Sequence, residues 1–355
     1  MSAVRLDWVK DLLKGRLHLA VLKSRLVVEL HLRAKSAVLP GRGVEPGTSL
    51  KMTFKVRLPD RGGEVPMLLA TSLKGALRAL SERIAKSDCR ALTNLEAEEE
   101  AIRWHHEPEG GPIRHAPEKN KNREDIFEEG ALRHLLNVLD IFSLGPEKTF
   151  KLAIALGVMR ERAEELRDKV RESGMLGSLS LADRHVRSLV SALVERALAL
   201  FCPICRLYGS PGLAAKLRLV DALPVNATRT AMRIHVGIDR RSLTSAENIL
   251  YQEEVVEPGA IFKTWLIADN VRPGTPEARL LANTLDFIRK LGLQVGGSKS
   301  RGLGLLEVDE EASRAWFCDF TKARGSSALE MLLDPRKGDE MKLKELVEFL
   351  KTEES

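Results

Sequence analysis

Lys299 and Arg301 sit inside the run Gly296-Gly297-Ser298-Lys299-Ser300-Arg301-Gly302-Leu303-Gly304, between a helical pattern and an apolar strand pattern. Glycines let a backbone turn tightly and approach a ligand closely. Successive N–H groups in such a turn can form an anion-binding nest, to which the two cations add full charge. The chemistry that fits is a grip on a phosphate backbone. The run is not a P-loop, because Lys299 is mid-loop and a strand, not a helix, follows. A glycine-rich connection between a helix and a strand is the plain alternative.

Three other groups of cations have similar chemistry. Ser72, Lys74 and Arg78 lie on the first turns of a helix that opens at Thr71 or Ser72, where unpaired N–H groups and the helix dipole favour phosphate. Gly75 keeps that helix start open; an ordinary N-cap with a solvated face fits the same residues. Lys51, Thr53, Lys55 and Arg57 alternate with apolar residues on a strand from Leu50 to Leu58, giving one buried and one basic face. Arg240 and Arg241 fall in a protruding hairpin from Asp239 to Glu254, with Ile249, Leu250 or Tyr251 suited to wedging or stacking. A surface hairpin with solvated arginines reads equally from those residues.

Cys202-Pro203-Ile204-Cys205 has the spacing of half a zinc knuckle, though a redox pair or two buried thiols share it. Further ligands would come from Cys89, His105, His106 or His115, near the opposite end of the segment that Cys202 closes. A structural Zn2+ stapling both ends would fill its four positions with protein and leave none for catalysis. His18, His31, His134, His185 and His235 have no evident carboxylate or nucleophile partner in the sequence.

The chain has 355 residues, 56 basic and 50 acidic, a balance of +6. Residues 87–200 carry 17 basic and 21 acidic side chains, so the remainder is +10. A basic body with an acidic insert points to a polyanionic partner, against a highly charged, thermophile-like surface. Phe, Trp and Tyr make up only 5% of residues, so backbone contacts are expected over a stacking platform. Four cysteines do not make a disulfide scaffold at this size. Leu6, Val9, Leu12, Leu13 and Leu17 are spaced as an amphipathic helix and not as a signal peptide. No run reaches 18 uncharged apolar residues, so a cytoplasmic protein with no membrane partner is expected.

The patterns that must position these groups alternate. Strands are expected at Leu26–Leu32, Leu50–Leu58, Ala215–Leu223, Arg229–Ile238, Ile249–Val256, Ala260–Ala268 and Leu303–Val308. Helices are expected from Thr71 to Lys86, Leu152 to Arg171, Leu181 to Leu200, Pro276 to Leu291 and Glu340 to Leu350. Without insert and hairpins the order is β-α-β-β-α-β, an α+β, ferredoxin-like core. That core comprises residues 1–86 and 201–320, with a helical insertion at 87–200, a β-hairpin thumb and a C-terminal helical tail at 321–355.

Three segments resemble a known family. Pro66-Met67-Leu68-Leu69-Ala70-Thr71-Ser72-Leu73-Lys74-Gly75-Ala76-Leu77-Arg78 is similar to a signature of the RAMP superfamily of CRISPR-associated RNA-binding proteins, with Ala70-Thr71 replacing the usual Gly-Ser. Cys202-Pro203-Ile204-Cys205-Arg206-Leu207-Tyr208-Gly209-Ser210 with Leu217–Ala222 resembles a second segment. Ile238-Asp239-Arg240-Arg241 with Leu250-Tyr251 and Glu253–Phe262 resembles a third, and the glycine loop is a fourth family mark. The central pair is most like the backbone subunit of type III-A (Csm) effector complexes.

The resemblance implies a type III effector subunit for antiviral defence. It would bind single-stranded crRNA and target RNA through phosphates at Lys51, Lys55, Ser72, Lys74, Arg78, Arg240, Arg241, Gly296, Gly297, Lys299 and Arg301. Its other partners would be further CRISPR effector subunits and copies of itself in a helical ribonucleoprotein. Such subunits commonly cut target RNA with an aspartate in the loop after the first strand. No aspartate lies between Arg33 and Lys55, where Glu45 is the sole acid. The expectation is binding without cutting, with a metal-dependent endoribonuclease using Glu45 as the alternative. Guide processing by His18 or His31 is a third reading that nothing in the sequence marks.

Overall fold

The structure, a computed structural model, describes residues 21–44, 50–59, 63–87, 96–106, 127–210, 213–238, 245–323 and 325–352, with Val9 and Leu92. His18, Glu45, Cys89, His115, Arg240, Arg241 and the expected N-terminal helix lie outside the described residues, as do the side chains of His105 and His106. The chain divides into two compact units: 1–23, 81–217 and 269–280 form one, and 24–80, 218–268 and 281–355 the other.

In chain order the strands are β1 (Ser24–Ala34), β2 (Gly41–Val44), β3 (Lys51–Thr53), β4 (Lys55–Leu58), β5 (Gly63–Pro66), β6 (Leu217–Leu219), β7 (Leu223–Pro224), β8 (Thr230–Ile238), β9 (Ser245–Val256), β10 (Ile261–Asp269), β11 (Leu293–Gln294), β12 (Leu305–Val308), β13 (Arg314–Asp319) and β14 (Asp339–Met341). The helices are α1 (Ala70–Ser87), α2 (Glu96–His106), α3 (Glu129–Val138), α4 (Pro146–Ala155), α5 (Arg160–Ser173), α6 (Arg184–Phe201), α7 (Pro203–Tyr208), α8 (Pro276–Leu291), α9 (Ser326–Leu333) and α10 (Leu343–Lys351).

The first unit is helical. Its centre is α6, whose Leu189, Val190, Leu193, Val194, Ala197 and Leu198 are all buried, a helix apolar on nearly every side because neighbours surround it. Asp183 caps it by accepting the N–H groups of His185 and Val186 at 2.8 and 3.3 Å. The periodicity from Leu152 to Arg171 does not make one helix. It breaks into α4 and α5 around Gly157, whose φ of +74° an α-helix cannot continue.

Arg206, directly after the Cys-x-x-Cys, and Lys216 converge on Glu277 at the start of α8. The Arg206 Nη2 lies 2.5 Å from the carboxylate, and Lys216 also pairs with it. Glu277 is fully buried. Burial alone would push its carboxyl up, but Arg206 and then Lys216 outweigh it and hold the group down at about 2.

The second unit is α+β. Its main sheet runs β11-β12-β1-β10-β6, with β13 beside β1, β14 beside β13 and β7 beside β10. β1 alternates: Leu26, Val28, Leu30 and Leu32 are buried, while Arg25, Glu29 and Arg33 take the opposite face. The expected helical tail at 321–355 is not only helical, since β13 pairs antiparallel with β1 and β14, within the tail, pairs antiparallel with β13. The expected strand from Leu50 to Leu58 is two strands in different sheets, parted at Phe54, whose N–H turns to the Pro40 carbonyl at 2.6 Å. β3 joins a four-stranded sheet ordered β2-β3-β9-β8, and β4 pairs with β5. In the long β8–β9 hairpin, pairing extends from Thr230↔Val256 to Ile238↔Ser245. Among the described residues no helix is long and apolar enough to cross a membrane.

Candidate nucleic-acid interface

In the second unit, β3, β8, β9 and the glycine loop meet around one carboxylate. β3 runs parallel to β9 with Lys51 opposite Glu253, and the Lys51 ammonium donates to Glu253 at 2.9 Å. Ser298 of the glycine loop donates to the same oxygen at 2.7 Å, and the Arg301 guanidinium stands 3.9 Å away. From β8, His235 Nε2 lies 3.1 Å from the other oxygen. The Glu253 side chain is wholly buried. Burial pushes its carboxyl up, but the Ser298 and Lys51 hydrogen bonds and the Lys51 charge win and hold it below the usual carboxylate range.

Tyr251 fills the space between these cations. Its ring stacks on His235 at 4.9 Å with the planes 8° apart. Lys51 Nζ and Arg301 Cζ lie 5.5 and 5.0 Å from its centroid, within reach of the negative face of the ring. Tyr251 thus ties the hairpin to the glycine loop. Next door, Glu254 accepts from Lys55, from Thr230 Oγ1 at 3.0 Å and from the Thr53 N–H at 3.2 Å. Its carboxyl is also lowered: burial opposes this, and Lys55 and Thr230 prevail.

The glycine loop carries its charge in side chains. Lys299–Arg301 form one 3-10 turn between Ser298 and Gly302, both left-handed, and Lys299 and Arg301 are exposed. The expected nest of N–H groups is largely used internally. Gly297 donates to the Leu39 carbonyl at 2.9 Å, Gly304 to Ala37 at 2.8 Å and Arg301 to Ser298 at 2.9 Å. A Cβ at Gly296 would run into the Leu39 carbonyl, whereas one at Gly302 would meet nothing within 4 Å. Gly296 and Gly297 allow close packing over the cluster of Ala37, Leu39, Val255 and Leu303.

Lys74 and Arg78 form a separate pair one turn apart on α1. Burial lowers the Lys74 ammonium below its ordinary value, and the like charge of Arg78 adds to the shift. Ser72 is exposed on the same first turns. The Ala70 N–H at the start of α1 donates to Asp221 at 2.6 Å, and Leu68 and Ala222 exchange backbone hydrogen bonds at 3.0 and 2.8 Å. Two of the sequence segments that looked most informative are pinned to each other, and a carboxylate already occupies one helix-start donor.

Sequence reading missed Glu253, Glu254 and Ser298 as site residues and the partner of His235, because the pairings join separate segments, Ser298 to Glu253 across 45 positions and Lys51 to Glu253 across 202. It also missed the histidine partners. His31 lies 3.0 Å from Glu29, His134 3.7 Å from Glu100 and His185 2.5 Å from Glu165. Cys202 and Cys205 are buried, at the junction of α6 and α7. Among the described residues no group of three or more His, Cys, Asp or Glu is placed to hold a metal.

The sequence profile of the RAMP superfamily matches residues 31–307, more than half of the chain. No curated protein matches the sequence. Among solved structures, a chain of a "Type IV-B CRISPR Complex" is similar at 13% identity and a TM-score of 0.37, over 85% of this chain and 92% of that one.

Proposed function

The chain belongs to the RAMP superfamily, and from that premise we propose that it is an RNA-binding subunit of a CRISPR effector ribonucleoprotein, holding single-stranded crRNA by its phosphates. The observation that supports this reading is the convergence of Lys51 and Arg301 on buried Glu253 and over the Tyr251 ring, beside exposed Lys299. A carboxylate that fixes the ammonium and guanidinium groups from below leaves their outer sides for phosphate oxygens. The strand order β12-β1-β10-β6, with α1 after β1 and α8 after β10, supports a ferredoxin-like core. The type III backbone role, copies of the chain along one guide, and binding without cutting belong to the same reading.

Filter binding of unrelated single-stranded RNAs across a salt series tests it. Affinity should fall steeply with salt because phosphate contacts release counterions. Lys299→Ala with Arg301→Ala should weaken all sequences about equally and flatten the log–log salt slope by about 1.4, at about 0.7 per phosphate contact on single strands. Salt-independent affinity would remove the reading.

Zinc is part of the proposal. Cys202 and Cys205 sit at i and i+3 on α7 and its cap, which brings two thiols to one side. They would hold the ion with ligands from Cys89, His105, His106 or His115. Elemental analysis of protein purified without chelator should give one zinc per chain. None would discard the staple and leave the RNA interface standing.

A further inference from the structure

The outer face of the main sheet carries a pocket that the phosphate-binding reading does not use. On β10, Phe262, Leu266 and Ala268 are buried, and Lys263, Trp265 and Ile267 take the other face. On β13, Trp316 stands opposite Val27 of β1 and therefore on that same face. Trp265 and Trp316 stack there with centroids 6.0 Å apart and planes 26° apart. Around them opens a cavity of about 370 Å³ lined also by Arg25, Arg218, Asp334 and Arg336, with aliphatic side chains completing the floor.

The chemistry of this lining is specific. Two of the chain's four tryptophans meet where solvent still reaches Trp265. Lys263 Nζ and Arg336 Cζ lie 5.2 and 5.7 Å from the Trp265 centroid, so the ring presents its π-face to charged groups. Three guanidinium groups and one carboxylate leave the pocket two charges positive. The Asp334 side chain is engaged in capping the turn at Pro335–Lys337, accepting the Arg336 N–H at 3.1 Å. A flat apolar floor with a cationic rim suits a ligand that is a planar ring at one end and an anion at the other. The volume suits one such unit and not a protein surface, since small-molecule pockets begin at roughly 300 Å³. Trp316, Asp334, Pro335 and Arg336 follow residue 307 and Arg25 and Val27 precede residue 31, so more than half of the lining falls outside the matched family segment.

We propose that this pocket binds one nucleotide, its base stacked on Trp265 and its phosphate held by Arg336 with Arg218 and Arg25. The nucleotide is either free or one unit of an RNA strand. The inference stands on the pocket alone and not on the phosphate-binding reading of the glycine loop.

Adenosine 5′-monophosphate, adenosine and an oligoadenylate are the probes, titrated against the full chain by tryptophan fluorescence and equilibrium dialysis. Saturable quenching by the monophosphate is expected, with adenosine binding roughly tenfold more weakly for want of a charge-assisted contact. Arg336→Glu, on an exposed turn, should weaken binding by about tenfold or more. Trp265→Phe, which keeps a ring, should weaken it by a few-fold. Quenching by the monophosphate identifies a free nucleotide. Quenching by oligoadenylate alone, lost in Arg336→Glu, identifies a strand. Silence with both probes overturns the proposal. So does binding indifferent to both substitutions, or a pocket that takes an acidic aromatic peptide and no nucleotide.

Discussion

Glu277 and Glu253 are both wholly buried carboxylates, each met by two or more cations from distant parts of the sequence. They differ in what happens to the cations. At Glu277 the side chains of Lys216 and Arg206 are 7% and 19% exposed. At Glu253 those of Lys51 and Arg301 are 38% and 49% exposed. A closed cluster spends its charge on itself and acts as an internal fastener, joining the segment after the Cys-x-x-Cys to the start of α8. An open cluster holds its cations in place while leaving them in water. The second arrangement can meet a polyanion, and the first cannot.

The largest effect expected from this contrast is on stability. Glu277→Gln leaves the buried Lys216 charge without its anion and Arg206 with Glu98 alone at 3.6 Å, and should cost about 3–5 kcal/mol. Glu253→Gln should cost only about 1–2 kcal/mol, because Lys51 and Arg301 can turn outward to solvent. Chemical denaturation of both variants measures the difference. Equal losses would erase the distinction between closed and open clusters.

Acid sharpens the same contrast. Glu277 is held at about 2 against an ordinary 4.5. A depressed carboxylate contributes stability that is complete above its unfolded value and lost as pH falls through its folded one. The window is therefore from about pH 4.5 down toward 2, with about 3 kcal/mol at stake at roughly 1.4 kcal/mol per unit. Lys216 is itself lowered, by burial that the Glu277 charge only partly offsets. The direction for the cluster follows Glu277, which has two cations where Lys216 has one anion. Denaturation midpoints of wild type and Glu277→Gln should converge as pH drops through that window, and parallel curves would contradict the assignment.

What was legible in the sequence follows the reach of each interaction. The alternation in β1 and β10 and the 3.6-residue period of α6 are local, and they matched the structure to within a few residues. Gly157 was visible too, but its left-handed backbone, which divides α4 from α5, depends on packing. Nothing local in the sequence marks the Glu253-Glu254 pair as buried. Successive strand residues face opposite ways, and each glutamate is buried because Lys51 or Lys55 meets it from some 200 positions upstream. The basic loop, the basic strand and the helix start were recognisable as charge. That Glu253 gathers the first two, and that Asp221 caps the third, depends on pairings no local pattern encodes. Amphipathic spacing near Glu340–Leu350 predicts helix in the tail at 321–355, while short β14 exists only by pairing with β13.

The smallest expected effect separates the two jobs of Glu253. Its carboxylate fixes Lys51 and the Ser298 end of the glycine loop, and it also places a negative charge beneath a surface proposed to hold phosphates. Glu253→Gln keeps the shape and an acceptor for Ser298 but removes the charge. Loss of one negative charge close to Lys51 and Arg301 raises the local potential, so RNA should bind a few-fold tighter at low salt. The gain should shrink toward high salt, because the added attraction is screened within roughly 10 Å at 0.1 M. Glu277→Gln, with its cations enclosed, should leave the affinity of the folded fraction where it was. Binding that weakens in Glu253→Gln at all salts would mean that holding Lys51 and Arg301 in register matters more than the field they produce.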